Sequence, residues 1–295
     1  MNPSAIDWSA PWLAPYRASG RRVLGTTAAA TSMDEGAEAG RQGAAGWVAG
    51  ALDACVPPPP AGPGGPVATS PAIRFVPQSR LPAGEPYERF IFETGSVPTR
   101  DNLHDFFNGL VWLRCPAAKR QLNRLQAGEI ARTGVGATRG PLRDALTLFD
   151  ENGALLDAPP ALWDALIARD WRRLFVTERA LWAQARLWIF GHALLEKLVQ
   201  PRKAATAHVL RLALPIDRDG NGGRGGMVRT DALLAEAHAP AWLATKPFAP
   251  LPVLGIPGWC PQNENFSFYD DSDVFRPRSI SRTTDNSRVQ RQDPA

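Results

Sequence analysis

Thr147-Leu148-Phe149-Asp150-Glu151-Asn152-Gly153-Ala154-Leu155-Leu156 is the stretch on which the fold turns, because it can be read in two ways. Leu142, Ala145, Leu146 and Phe149 recur at the spacing of one buried helical stripe. Asn152-Gly153, flanked by Thr147-Leu148-Phe149 and Ala154-Leu155-Leu156, is the strongest short hairpin signal in the chain. A two-residue loop there would set Phe149 opposite Leu156 on one face. The hairpin reading is favoured, and it predicts paired strands over about 146–157.

Outward from this stretch the periodicity is mostly helical. Asp101 can cap a helix over 102–114, where Leu103, Phe106, Phe107, Leu110 and Leu113 form a buried stripe. A more polar helix is expected over 118–132, and further helices over 160–169, 178–199 and 231–243, with Pro201 ending the fourth. Ile73-Arg74-Phe75-Val76 and Arg89-Phe90-Ile91-Phe92 read as short strands. Residues 207–214 alternate, with His208, Leu210, Leu212 and Leu214 on one face of a half-buried strand. Residues 217–226 form a Gly-rich loop, and 247–261 a Pro-rich irregular segment. The expected fold class is therefore α+β, a helix-dominated single domain with a small antiparallel sheet made from the hairpin and the 208–214 strand. Around it, residues 1–55, with Trp8 and Trp12, read as an N-terminal docking segment, and 56–72 as a Pro-rich linker or loop. The main domain spans 73–278, and 279–295 read as a disordered tail.

Of the 295 residues, 44% are hydrophobic, enough for a substantial core. The formal charge of +4 and a pI near 9.2 would suggest nucleic acid if the basic residues clustered, but they are interleaved with acids. No specific nucleic-acid signal results, and partners stay unknown. Cys55, Cys115 and Cys260 are far apart and form no CxxC pair, which argues against both a disulfide framework and a zinc knuckle. The first residues lack the basic and apolar regions of a secretory signal. Trp182–Val199 holds Arg186, His192, Glu196 and Lys197, too many polar groups for a membrane span of about 20 apolar residues. A soluble, cytoplasmic protein is expected.

Histidine titrates near neutrality and is the commonest metal ligand, so the three histidines that sit beside carboxylates or amides are the candidate site. His192 and Glu196, four residues apart, share one helical face among Trp188, Ile189, Leu195 and Val199. A polar pair among apolar neighbours needs a hydrogen-bonding partner or a function. Both readings stay open: a structural tie, or a general base or pair of metal ligands. His104 lies in the first turn of its helix beside Asp105, and could equally serve as a loop anchor. His208 faces inward with three leucines, where a satisfied core histidine is the ordinary case. The short link from His192 allows the two rings to meet. Asp217, Asp219, Asn221 and Gly222 imitate half a calcium loop, but Val228 stands where a bidentate Glu is required. Cys260 is a candidate thiol nucleophile if a histidine pairs with it, and Asp270, Asp271 and Asp273 are ordinarily just solvated.

Asn102-Leu103-His104-Asp105-Phe106-Phe107-Asn108-Gly109-Leu110, Arg139-Gly140-Pro141-Leu142-Arg143-Asp144-Ala145, Phe190-Gly191-His192-Ala193-Leu194-Leu195-Glu196-Lys197-Leu198, Pro257-Gly258-Trp259-Cys260-Pro261 and Phe268-Tyr269-Asp270-Asp271 together form long, specific motifs. By them, the chain resembles an uncharacterised bacterial family catalogued as a domain of unknown function, over roughly residues 7–278. The resemblance implies no activity, cofactor or catalytic residue. The function expected from the residues is a soluble cytosolic enzyme, a hydrolase, in which His104, His192, Glu196 and His208 line one pocket. His192, Glu196 and His208 are the candidate ligands of a divalent metal. The competing class is a non-catalytic ligand-binding or interaction protein whose polar residues are structural.

Overall fold

The computed structural model describes residues 2–31, 45–57, 73–134, 140–211, 231–232 and 240–277. The Gly-rich loop, the strand residues beyond 211, the tail and almost all of the Pro-rich segment lie outside these. So do 233–239 of the predicted 231–243 helix, which is described as a helix over Pro240–Leu243.

Two helices open the chain, α1 (Arg17–Thr31) and α2 (Trp47–Asp53). Strand β1 (Arg74–Pro77) follows and pairs in parallel with β2 (Ser96–Thr99), the crossover between them being α3 (Tyr87–Thr94). The expected strand at 89–92 thus lies inside a helix. Ile91 is buried and Phe92 half exposed, and Gly95 at φ 67° closes the segment in the left-handed conformation that ends helices. Next come α4 (Leu103–Arg114) and α5 (Pro116–Thr133). The cap of α4 is Asn102, whose side chain accepts from the Asp105 amide at 2.8 Å. Asp101, expected in that role, instead accepts from the Gly46 and Val48 amides at 2.7 and 2.9 Å and anchors the start of α2.

The decisive stretch is not a hairpin. Pro141–Asn152 is a helix, α6, and the chain passes directly into β3 (Gly153–Asp157). A type I′ turn needs positive φ at Gly153, which has φ −71°. Its lack of a side chain matters for another reason: a Cβ there would fall 2.4 Å from both the Phe149 ring and the Phe149 carbonyl oxygen. The stripe of Ala145, Leu146 and Phe149 is buried as a helix would bury it. β3 is buried at four successive positions because strands flank it on both sides.

After α7 (Pro160–Ala168), the predicted long helix at 178–199 is broken into three. A 3-10 turn over Arg179–Gln184 leads into β4 (Arg186–Ile189), and a short helix, α8 (His192–Lys197), follows. The break has a steric cause. Gly191 crosses the end of α6 so closely that a Cβ would lie 2.5 Å from Asn152 backbone atoms. The Phe190 and Gly191 amides both donate to the Gly153 carbonyl, at 2.9 and 2.8 Å.

β5 (Thr206–Arg211) matches the expected strand, while β6 (Ala249–Pro252) forms within the segment read as irregular. The four-stranded sheet runs β4-β3-β5-β6. It is mixed: β3 pairs antiparallel with β4 but parallel with β5, and β5 antiparallel with β6. The class is helix-dominated α+β, with a parallel pair and a mixed sheet rather than the small antiparallel sheet expected. Phe106, Phe107, Phe149, Leu155, Phe175 and Phe190 share one core, which the opening segment joins. There the Tyr16 hydroxyl donates to the Ile189 carbonyl at 2.7 Å and accepts from the Trp188 indole at 3.0 Å. Among the described residues no helix is long and apolar enough to cross a membrane.

Candidate functional site

Three helix ends meet where Gly191 crosses Asn152. His104 comes from the first turn of α4, His192 opens α8, and Asp150 and Glu151 lie in the last turn of α6. Their side chains line a cleft of about 490 Å³, together with Tyr87, Glu88, Arg100 and Arg143.

The two imidazoles converge edge to face, with ring centroids 4.5 Å apart and Nε2 atoms 3.0 Å apart. Each outer nitrogen faces a carboxylate. His104 Nδ1 lies 2.9 Å from Glu196 Oε2. His192 Nδ1 lies 3.7 Å from Asp150 Oδ2, beyond hydrogen-bond length, and although the Asp150 backbone carbonyl also acts on the ring, this buried nitrogen makes no hydrogen bond of ordinary geometry. Burial pushes the His192 pKa down to about 4, against the opposing pull of Asp150, so the ring is neutral at pH 7.

Asp150 is held from its other side by Lys119, a buried ammonium that donates to Asp150 Oδ1 and, at 2.8 Å, to Asn108 Oδ1. Asn108 in turn donates to the Tyr87 hydroxyl at 3.2 Å. Burial works to raise the Asp150 pKa, but Lys119 and then His192 outweigh it and keep the carboxyl below its usual range. Glu88 goes the other way: burial first, and the Asp150 charge second, push its carboxyl up, although it accepts from Asn123 Nδ2 at 2.7 Å. The pKa values of these two carboxyls in the cleft are therefore displaced in opposite directions, as they are where acid and base roles are divided between carboxyls.

His104, His192 and Glu151 each offer one ligand atom, and these atoms lie within 4.8 Å of one another. Two imidazoles bound to one ion at about 2.1 Å span about 3.4 Å in tetrahedral geometry, so the Nε2 pair is already near that separation. Glu151 would have to close by up to about 1.4 Å to reach the same tetrahedral separation. Among the described residues this is the group that could hold a metal ion.

Of the residues singled out in the sequence, His104, His192 and Glu196 come together, with His104 as the partner that His192 and Glu196 share. Glu196 is not buried as its helical phase suggested; its side chain is 38% exposed, and it meets His104 from the rim. His208 does not join them. It stands on β5 between Gly153 and Pro250, with its ring 6.4 Å from Phe248, and lines neither the cleft nor the metal-compatible group. The expected metal set of His192, Glu196 and His208 is therefore not assembled. Asp105 binds Arg100 rather than His104. Cys260 donates to Gln262 in a separate groove that holds Trp12 and Trp259 but no histidine. Asp271 pairs with Lys203 at 3.0 Å, and the calcium-like loop lies outside the described residues. Asp150, Glu151, Lys119 and Glu88 were missed. The signal for the first two was present, since a helical reading of 141–152 places Arg143, Thr147 and Glu151 on one polar stripe, with Asp150 beside it.

A family model described as "Protein of unknown function (DUF3025)" matches residues 73–279, well over half of the chain, and the chain belongs to that family. No curated protein and no solved structure matches it.

Proposed function

We propose that this member of the family is a cytosolic metal-dependent hydrolase whose centre is His104, His192 and Glu151. The observation that carries the reading is the orphaned Nδ1 of His192. If His192 Nε2–H donates to His104 Nε2, its Nδ1 is left bare, buried and turned toward a carboxylate. A divalent ion held by the two Nε2 atoms would displace that proton: His104 already carries its own on Nδ1, facing Glu196, and His192 would then carry its proton on Nδ1, toward Asp150. Each ligand then has its carboxylate, the arrangement that orients metal-bound histidines and makes them more basic.

Three protein ligands leave a coordination position open, as catalytic sites do and closed structural sites do not. A divalent ion held there supplies Lewis acidity and lowers the pKa of a coordinated water toward neutrality. The chain supplies orientation. Glu196 and Asp150 would fix the two rings and Lys119 would hold Asp150 in its charged form, while a proton passes from the attacking water to the leaving group as the scissile bond breaks. The competing class, a non-catalytic binding protein, would use the same network as a structural tie.

Protein purified without added metal is expected to carry about one equivalent of a divalent ion. Readdition of zinc to chelator-treated protein should raise the melting temperature, since ligand at about 100 times its Kd stabilises by about 2.7 kcal/mol. Hydrolysis of activated carboxylic and phosphate esters should vanish with chelator and return with metal. A metal-free protein whose melt ignores chelator, with His192→Gln and Glu196→Gln both strongly destabilised, would assign the network to structure.

A further inference from the structure

We infer that the substrate carries an oxyanionic group, a carboxylate or a phosphoryl, held by Arg143 at the far end of the cleft from the metal ligands. This rests on the cleft being the active site proposed above. The other cation of the cleft lining is committed, since Arg100 forks onto Asp105 through Nε and Nη2 at 3.0 and 2.9 Å. Lys119, on the other side of Asp150, is bound to Asp150 and Asn108. Among the described residues Arg143 forms no such fork, and its Nε is buried without a hydrogen bond, although its charge is felt by Glu88 and Glu129. Arg114 and Arg120 also bury an unpartnered Nε, but of the three only Arg143 lines the cleft.

The carboxylates near Arg143 have other commitments. Glu129 forks onto Arg132 at 3.2 and 2.9 Å, and Glu88 accepts from Asn123. Burial, which favours neutral Glu88, weakens it further as a competitor for the guanidinium. A planar guanidinium with free donors matches the two oxygens of a carboxylate or phosphoryl group.

The helix also sets the substrate's size. Arg143, Thr147 and Glu151 follow one another at four-residue intervals on the cleft side of α6. Eight residues of helix separate the cation from the metal ligand by about 12 Å along the axis. Between them on the helix stands Thr147, to which Gln126 donates at 3.1 Å, and the cleft lining also carries Glu88. A small molecule with its scissile bond at the metal and its anionic end at Arg143 fits this spacing better than a compact ion such as phosphate alone.

The test uses inorganic phosphate and acetate as probes, titrated by calorimetry into chelator-treated and zinc-loaded protein, with Arg143→Gln and Arg143→Lys beside the wild type. Far-ultraviolet circular dichroism confirms that the variants fold. The inference expects probe binding that survives metal removal and falls by about tenfold in Arg143→Gln, as loss of a charge-assisted hydrogen bond implies, with partial recovery in Arg143→Lys. The tighter probe identifies the oxyanion. Binding that disappears on chelation yet is unchanged in Arg143→Gln would place the anion on the metal and overturn the role of Arg143 while leaving the metal centre intact. Arg143-dependent binding to a protein that takes up no metal would do the reverse.

Discussion

His192 opens the helix after β4 and His208 stands on β5 of the same mixed sheet, and burial pushes the pKa of each below its usual value. Only one sits where chemistry can happen. His192 has a second imidazole 3.0 Å from Nε2 and a carboxylate beyond Nδ1, whereas His208 has the edge of Phe248. Burial and depressed basicity are thus shared by a site and by ordinary core. What separates them is convergence of several helix ends on one nitrogen, which no single-residue property reports.

The largest effect should come from the ligands themselves. His192→Ala or His104→Ala is expected to weaken zinc binding by more than about 100-fold, beyond the 10- to 100-fold that loss of an outer-shell partner brings. His208→Ala should leave it unchanged. A zinc titration in which all three variants fall together would erase the contrast.

Lys119 comes next, because it is buried and Asp150 depends on it. Lys119→Met leaves the carboxylate unpaired. Breaking a buried pair costs about 3–5 kcal/mol, and with Asp150 21% exposed the loss should lie at the lower end, about 3 kcal/mol. Urea denaturation should show it, and adding Asp150→Asn should recover part of the loss. No recovery in the double variant would mean that Lys119 acts through Trp112, which it overlies at 5.4 Å, rather than through the charge.

A smaller effect is expected at the rim, where Glu196→Gln keeps size and hydrogen bonding but removes the charge facing His104. Zinc affinity should drop by about 10- to 100-fold, with the melting temperature of metal-free protein nearly unchanged. A large drop in that melting temperature, with zinc affinity intact, would make Glu196 a structural tie.

The sequence announced the histidines but hid their setting. α4, α5 and α7 were legible because Leu103, Phe106, Phe107 and Leu110, and their counterparts, keep one period through a whole element. The centre was not, because it forms where two backbones touch. Gly153 reads as a turn glycine and Gly191 falls inside an expected long helix, yet a Cβ at Gly153 would meet Phe149 four residues back, and one at Gly191 would meet the backbone of another chain segment at Asn152. Sequence spacing reports φ preferences and faces, while a close approach between residues forty apart leaves only the glycine itself as a trace. A hairpin over 146–157 takes from Asp150 and Glu151 the helical face that points them at His192, while the four-residue spacing to Glu196 and the short link to His208 offer ligands that the fold does not bring together.

The smallest expected effect concerns His208 and follows from proton linkage. Its folded pKa is lowered by burial first and by Lys197 second, so between that value and the unfolded pKa of about 6.5 the unfolded chain binds more protons than the folded one. Stability contributed by the neutral ring is therefore present above about pH 6.5 and is lost as pH falls toward the folded pKa. His208→Gln, which does not titrate, should show a shallower decline between pH 7 and 5 in urea unfolding, and the difference from wild type should be the same with and without zinc. His192 has the same sign, but as a ligand its share of the slope should change when zinc is added, because protons then compete with the metal for the ring. If the His208 difference also depended on zinc, the two histidines would belong to one coupled site and the comparison between them would fail.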